Sequence, residues 1–182
     1  MTSKREQVLD AAIELLGTKG SRGLTHRGVD EIAAMPTGST SNYFRTRETL
    51  LAGVAGRLVE RDHADWDQLG QLPTPQTAAE LIDSAVALLM HSLGPERTRT
   101  AARYALFLEA AATEELQAPL LEARQGLVTW VVGMMATVSK QPEIDAPILM
   151  DYLDGAILHQ LTMPVADFDP RPRITHLVTS LL

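Results

Sequence analysis

The residues that could do chemistry by type and spacing are gathered between Thr25 and Arg47, in THRGVDEIAAMPTGSTSNYFRTR. They are hydroxyls, an amide, a phenol, an imidazole and a few cations. That set suits hydrogen bonding to another molecule and has no arrangement for breaking a bond. The remainder of the chain offers no catalytic constellation either. There is no cysteine, hence no thiol nucleophile, thiolate metal site or disulfide. There is no HExxH, Gly-rich phosphate loop or GxSxG. The histidines at 26, 63, 91, 159 and 176 are scattered without ligand spacing, so no metal and no cofactor is expected. Glu114-Glu115 sits beside a helix start, where the helix dipole accounts for it. The expectation is a binding protein and not an enzyme.

The stretch itself reads as two short helices around a tight turn. The first, 25–34, is expected to bury Val29, Ile32 and Ala33. Met35-Pro36-Thr37 is the turn, because Pro36 cannot continue a helix and biases Met35 away from the helical region. The second, 38–44, carries Gly38, Ser39, Ser41, Asn42 and Tyr43, with only Thr40 and Phe44 looking inward. A helix this short is not stable alone. A polar one is kept because its outward face touches something, and the pattern fits a helix-turn-helix whose second member lies in a DNA major groove.

The elements that must position this head come before and after it. Ser3-Lys4-Arg5-Glu6 has the capping-box pattern and opens a helix to about Thr18, ended by Gly20 and Gly23. Thr25 is a plausible cap for the next helix, and Thr46 for a longer one over 47–63. Gly70, Pro73 and Pro75 mark a break across 64–76. Beyond it the periodicity stays helical. Stripes run through Ala78–Leu89, through Ala101, Tyr104, Ala105 and Leu108, along 118–139, and from Ile148 to Leu161, with a closing helix from about Arg173. Pro119 suits only a first turn, which places the start of the third stripe near Ala118, and Pro142 to Pro147 reads as a break. No strand signal is present. The fold class is all-α, with a helix-turn-helix domain over 1–63 and a helical ligand-binding and dimerisation domain over 64–182.

The net charge of −7 argues against a nucleic-acid partner until it is divided. Residues 1–62 hold nine Lys and Arg against eight Asp and Glu, and the remainder holds seven against fifteen. The acidic excess lies outside the reading head, and local charge governs phosphate contact. The start, MTSKREQVLD, lacks the apolar segment of a secretion signal, and no apolar run approaches a membrane span. A cytoplasmic protein with no membrane partner is expected.

Residues 4–63 resemble the N-terminal domain of the tetracycline-repressor-like (TetR) family of transcriptional regulators. REQVLDAAIELLGTKG, GLTHRGVDEIAAMPTGSTSNYF and RTRETLLAGV carry the resemblance, with no gap across 25–51. Three positions depart from it. Ala34 stands where the family usually has the turn glycine, Asp30 where it usually has alanine, and Ser41 where a tyrosine is common. The resemblance implies a homodimer bound to a palindromic double-stranded DNA operator. Thr25, His26 and Arg27 then lie at the first-helix start, near phosphate. Thr37 and Tyr43 match positions that touch phosphate or bases, and Gly38 lets the backbone approach the duplex. Ser39, Ser41 and Asn42 face the base edges, where Asn42 can pair with adenine. Arg47 is the phosphate clamp, with Arg45 in second place.

For the rest of the chain the resemblance implies a small-molecule effector that releases the operator, and hence a repressor, the family's commoner behaviour. Candidate pocket residues are polar or aromatic groups on apolar helices: Trp66, His91, Arg103, Tyr104, Phe107, Glu109, Trp130, Met134 and His159. Arg103 is expected to pair with a carboxylate of its own helix. LVTWVVGMMATV is apolar over more than three turns, and an all-round apolar helix must be covered on every side. The resemblance implies a two-fold four-helix contact through 118–139 and 146–162, which would cover it, with Gly133, Gly155 and Ala156 permitting close approach. The alternative is a helical small-molecule-binding protein that has lost DNA binding, a reading that Ala34 and Ser41 keep open.

Overall fold

The computed structural model describes residues 2–69 and 74–182, with no side-chain description at 63 and 66–69. The described residues form helices and no strand, as expected of an all-α chain. In chain order these are α1 (Lys4–Gly23), α2 (His26–Ile32), α3 (Ser39–Tyr43), α4 (Arg47–Leu69), α5 (Ala78–Leu93), α6 (Arg97–Ala110), α7 (Glu114–Met135), α8 (Pro142–Thr162) and α9 (Arg171–Leu181).

One compact unit comprises the residues up to Asp65 together with Thr98–Ala123. Its core is built from Val8, Leu9, Ala12 and Leu16 of α1, Val29 of α2, Phe44, and Leu50, Leu51 and Val54 of α4. Ala102, Leu106 and Leu116 complete it. The α1 capping box forms as expected, Ser3 Oγ accepting from the Glu6 amide at 3.2 Å and Glu6 accepting from the Ser3 amide at 2.6 Å. Helix α1 runs past Thr18 to Gly23, with a kink where Gly20 takes φ 67. Arg57 of α4 bridges back to Asp10 of α1 with two hydrogen bonds, 2.9 and 3.1 Å.

The second unit comprises Trp66–Arg97 and Arg124–Leu182. Leu81, Ile82, Ala85 and Leu89 of α5, Leu149, Met150, Leu153 and Ile157 of α8, and Ile174 and Val178 of α9 make its core. Arg171 pairs with Asp83 at 2.7 Å across α9 and α5.

Several sequence expectations shift. Helix α4 continues past 63 to Leu69, because Ala64–Leu69 contains no breaker. Helix α7 begins at Glu114, not near Ala118, and takes Pro119 inside. An interior proline costs about 3 kcal/mol. Leu116, fully buried, and Leu120, packed on the same core, flank it and each recover about 1.5–3 kcal/mol. Likewise 142–147 is no break. Pro142 starts α8, where a proline is preorganised, and buried Ala146, Leu149 and Met150 hold the turn around Pro147. On α6 the buried stripe is Thr100, Ala102, Leu106 and Ala110, while Leu108 is 76% exposed. The expected stripe of Ala101, Tyr104, Ala105 and Leu108 is thus rotated from the buried face, which includes the polar Thr100.

Candidate nucleic-acid interface

Helices α2 and α3 and the turn between them form the head. Thr25 caps α2, its Oγ1 accepting from the Gly28 amide at 3.1 Å. The inward face of α2 is His26, Val29, Asp30 and Ala33, a strict helical stripe. Ile32, expected inside, is 43% exposed. The turn places Ala34 at φ 52, in the left-handed region, so the position needs what glycine supplies and alanine tolerates it at a cost.

Helix α3 is five residues long. Its N-cap is Gly38 at φ 93, which contributes no side chain. The cap comes from Asp30, which is 3% exposed. Asp30 Oδ2 accepts from the Gly38 amide at 2.7 Å, and Oδ1 accepts from the Thr40 amide at 2.7 Å and from the Thr40 hydroxyl at 2.6 Å. Burial by itself would raise the Asp30 pKa. The Thr40 hydroxyl, the Thr40 and Gly38 amides and the nearby His26 outweigh it, and the carboxyl sits below its ordinary range. At the other end of α3, His26 Nε2 donates to the Phe44 carbonyl at 2.7 Å. Thr40 and Phe44 are buried as expected, and the Arg5 guanidinium lies over the Phe44 ring at 5.2 Å.

With its inner side so held, α3 turns Ser41, Asn42 and Tyr43 to solvent, beside exposed Thr37 and Arg45. Ser39 is half-buried, its hydroxyl donating to the Pro36 carbonyl at 2.6 Å. Arg27 is exposed and pairs with Glu31 one turn on, at 3.0 Å. His26 faces inward and serves as a clamp on α3. Arg47 is engaged as well. Its Nη2 donates to the Ser21 carbonyl at 2.9 Å and to the Ser21 hydroxyl, and it lies 3.6 Å from Glu109. Its Nη1 is buried with no hydrogen-bond partner among the described residues. Ser21 in turn donates to Glu109. Sequence reasoning noted Asp30 only as a departure from the family's alanine and gave it no role. The i, i+4 spacing from His26 was the signal that could have found it.

The candidate effector residues divide. Arg103, Tyr104, Phe107 and Glu109 lie in the first unit. Arg103 pairs with Asp62 of α4 at 2.6 Å and not with its own helix, since Asp62 faces it across the α4–α6 contact. Burial raises the Asp62 pKa, and the attraction of Arg103 and Arg99 only partly opposes it. The Tyr104 and Phe107 rings meet edge to face at 5.7 Å. In the second unit Trp130 and Met134 are half-buried on α7, and His91 and His159 are exposed. The Trp66 side chain is outside the described residues. An open depression in the first unit is bounded by Lys19–Arg22 on one side and Ala105, Leu108 and Glu109 on the other. Among the described residues no group of three His, Asp or Glu is placed to hold a metal, and no helix is long and apolar enough to cross a membrane.

A family model described as the tetracyclin repressor-like C-terminal domain matches residues 76–182. Over 59 residues, 32% of this chain, the sequence is 41% identical to an uncharacterized HTH-type transcriptional regulator in the dhlA 5' region of Xanthobacter autotrophicus. That match spans 29% of the relative's length. Among solved structures, the multidrug binding protein EbrR complexed with ethidium superposes with a TM-score of 0.76 at 26% identity, over 99% of each chain. A member of the TetR family from Streptomyces coelicolor A3 gives 0.68 at 27% identity, over 99% of this chain and 98% of that one. A transcriptional regulator from Rhodococcus sp. Rha1 gives 0.79 at 18% identity, over 99% and 96%, a likeness of fold alone.

Proposed function

The chain belongs to the tetracyclin repressor-like family, whose members are non-enzymatic DNA-binding regulators, and on that premise we propose that it is a ligand-released repressor binding a palindromic operator as a homodimer. The observation that supports this best is the held α3. A five-residue helix has both ends fastened inside the protein while Ser41, Asn42 and Tyr43 stand free. Base contact then falls to Ser39, Ser41 and Asn42, and phosphate contact to Thr25, Arg27, Thr37, Tyr43 and Arg47, around Gly38. His26 acts from behind. Two such heads come from a dimer through the apolar faces of α7 and α8, where Leu121, Ile144, Ile148 and Leu158 are exposed. The protein works in the cytoplasm, beside its operator.

The effector is proposed to be an aromatic or lipophilic cation. EbrR was solved with ethidium, and the acidic excess of this chain lies outside residues 1–62. Candidate contacts are Trp66, His91, Trp130, Met134 and His159 of the second unit and, separately, Arg103, Tyr104 and Phe107 of the first. The rival reading, a binding protein without DNA affinity, loses one of its two supports because Ala34 keeps the left-handed turn. The test is selection of duplexes from a random pool at fixed salt, then anisotropy on the selected DNA with and without ethidium, and light scattering for the dimer. Enrichment of an inverted repeat, and its release by ethidium, is expected. No enriched sequence would sink the DNA-binding reading, and undiminished binding with ethidium would sink the choice of effector.

A further inference from the structure

The first amides of a helix have no acceptor within it and need one from outside. Here the amides of Gly38 and Thr40 are already taken, at 2.7 Å each, by a carboxylate of the protein's own. That carboxylate is 3% exposed, and its partner Thr40 is fully buried. One turn earlier on the same face of α2, His26 holds the Phe44 carbonyl at 2.7 Å. The negative group stands at the positive end of α3 and the imidazole N–H at its negative end, each complementary to the helix dipole. A helix of five residues has no rigidity of its own, so its direction is set by these contacts and by the packing of Thr40 and Phe44.

We infer that Asp30 is a specificity-positioning residue. Its carboxylate holds the Gly38 and Thr40 amides and the Thr40 hydroxyl from behind, so that the angle at which Ser39, Ser41 and Asn42 meet base edges is set inside the protein. The inference rests on the DNA-binding reading above. The buried negative charge behind the interface lowers affinity for any duplex alike. The gap between the correct operator and all other DNA comes instead from the fixed angle of α3, which only the correct base edges can match.

The experiment uses the full chain, a duplex selected by the wild type from a random pool, and a scrambled duplex of the same composition. Affinity for each is measured across a KCl series for the wild type, Asp30→Asn and the double variant Asp30→Ala/Thr40→Val. The double variant removes both polar partners together and so avoids a stranded hydroxyl, which keeps a folded protein to measure. Ile174→Val, a mild core truncation in the second unit, serves as the stability control. In both Asp30 variants the ratio of selected to scrambled affinity is expected to fall by about tenfold or more. In the double variant the salt slope on scrambled DNA should stay as in the wild type, since no phosphate contact is made or lost. The control should lose Tm and keep the ratio. A ratio within about threefold of wild type in a folded double variant overturns the inference and leaves the function standing. An equal loss of ratio in Ile174→Val also overturns it, since stability alone would then be the cause. A wild type that enriches no duplex removes the function and the inference together.

Discussion

Gly17 of α1 lies so close to Thr98 of α6 that a side-chain carbon on the glycine would stand 2.1 Å from the threonine carbonyl oxygen. The nearest atom is main chain, which cannot rotate away, and the Thr98 methyl stands beside it. Helix α6 therefore rests closely on the helix behind the reading head.

Gly17→Ala tests that contact by setting two effects against each other. Alanine is favoured over glycine inside a helix by about 1 kcal/mol. Overpacking against backbone costs about 1–3 kcal/mol. The clash is expected to win, with a lower Tm and a lower urea midpoint. A rise in Tm would mean that the helices part at little cost.

Asp30 supplies a pH dependence. Its pKa is held below the ordinary value, so its contribution is complete above the unfolded pKa of about 3.9 and is lost as pH falls through the folded value. Asp30→Asn does not titrate. Near neutrality the variant should be less stable by about 1.5–3 kcal/mol, the value of a hydrogen bond to a charged group. The gap between the two proteins should close below about pH 4. Asp62 works in the opposite sense, because burial raises its pKa and its ionisation costs stability as pH rises. It does so equally in both proteins and cancels from the comparison. A gap that stays constant down to pH 2 would show that the Asp30 charge is not what caps α3.

Ala34→Gly should stabilise. Alanine at φ 52 carries a left-handed penalty of about 1–2 kcal/mol, and glycine loses about 0.5–1 kcal/mol more entropy on folding. The net gain is up to about 1 kcal/mol, read as a higher denaturant midpoint at unchanged slope. A lower midpoint would show that the turn gains nothing from a residue without a side chain.

Asn42→Ala is expected to flatten base preference at one position of each half-site by about 1–3 kcal/mol while leaving affinity for scrambled DNA unchanged. Repeating the selection with the variant reads this directly. An identical enriched sequence would remove Asn42 from the base readers.

The helices were legible because apolar spacing is a strong local signal. The capping box of Ser3 and Glu6, the cap on α2 from Thr25 and the inward Thr40 and Phe44 all form as their types dictate. What the spacing hid was polar burial. Asp30 and Thr100 are inside, while the apolar Ile32 on α2 and Leu108 on α6, expected to face inward, are exposed. A carboxylate is buried only when several donors converge on it, and those donors, Gly38 and Thr40, are eight and ten residues away across a turn. Prolines misled for a related reason. A local rule confines Pro119 to a first turn and reads a break from Pro142 to Pro147, whereas the packing of Leu116 and Leu149 comes from other helices. The ion pair of Arg103 with Asp62, 41 residues apart, has no local signature at all.

Arg47 offers the sharpest test of how the head meets phosphate. Its guanidinium is held by Ser21 and Glu109, and one of its nitrogens is buried with no hydrogen-bond partner among the described residues. If Arg47 is the phosphate clamp, Glu109 competes with DNA for it. Glu109→Gln should then raise affinity for every duplex alike, by about two- to tenfold for a partly exposed pair, with a salt slope steeper by up to about one per subunit. Arg47→Ala should weaken binding to all sequences equally and make the slope shallower by about the same amount. The two changes are coupled through one contact, so Glu109→Gln should have no effect in the Arg47→Ala background. A gain that persists without Arg47 would place the action of Glu109 in general charge repulsion. Unchanged affinity and slope in Arg47→Ala alone would leave Arg47 as a strut between α1, α4 and α6, with phosphate held by Arg27, Tyr43 and Arg45.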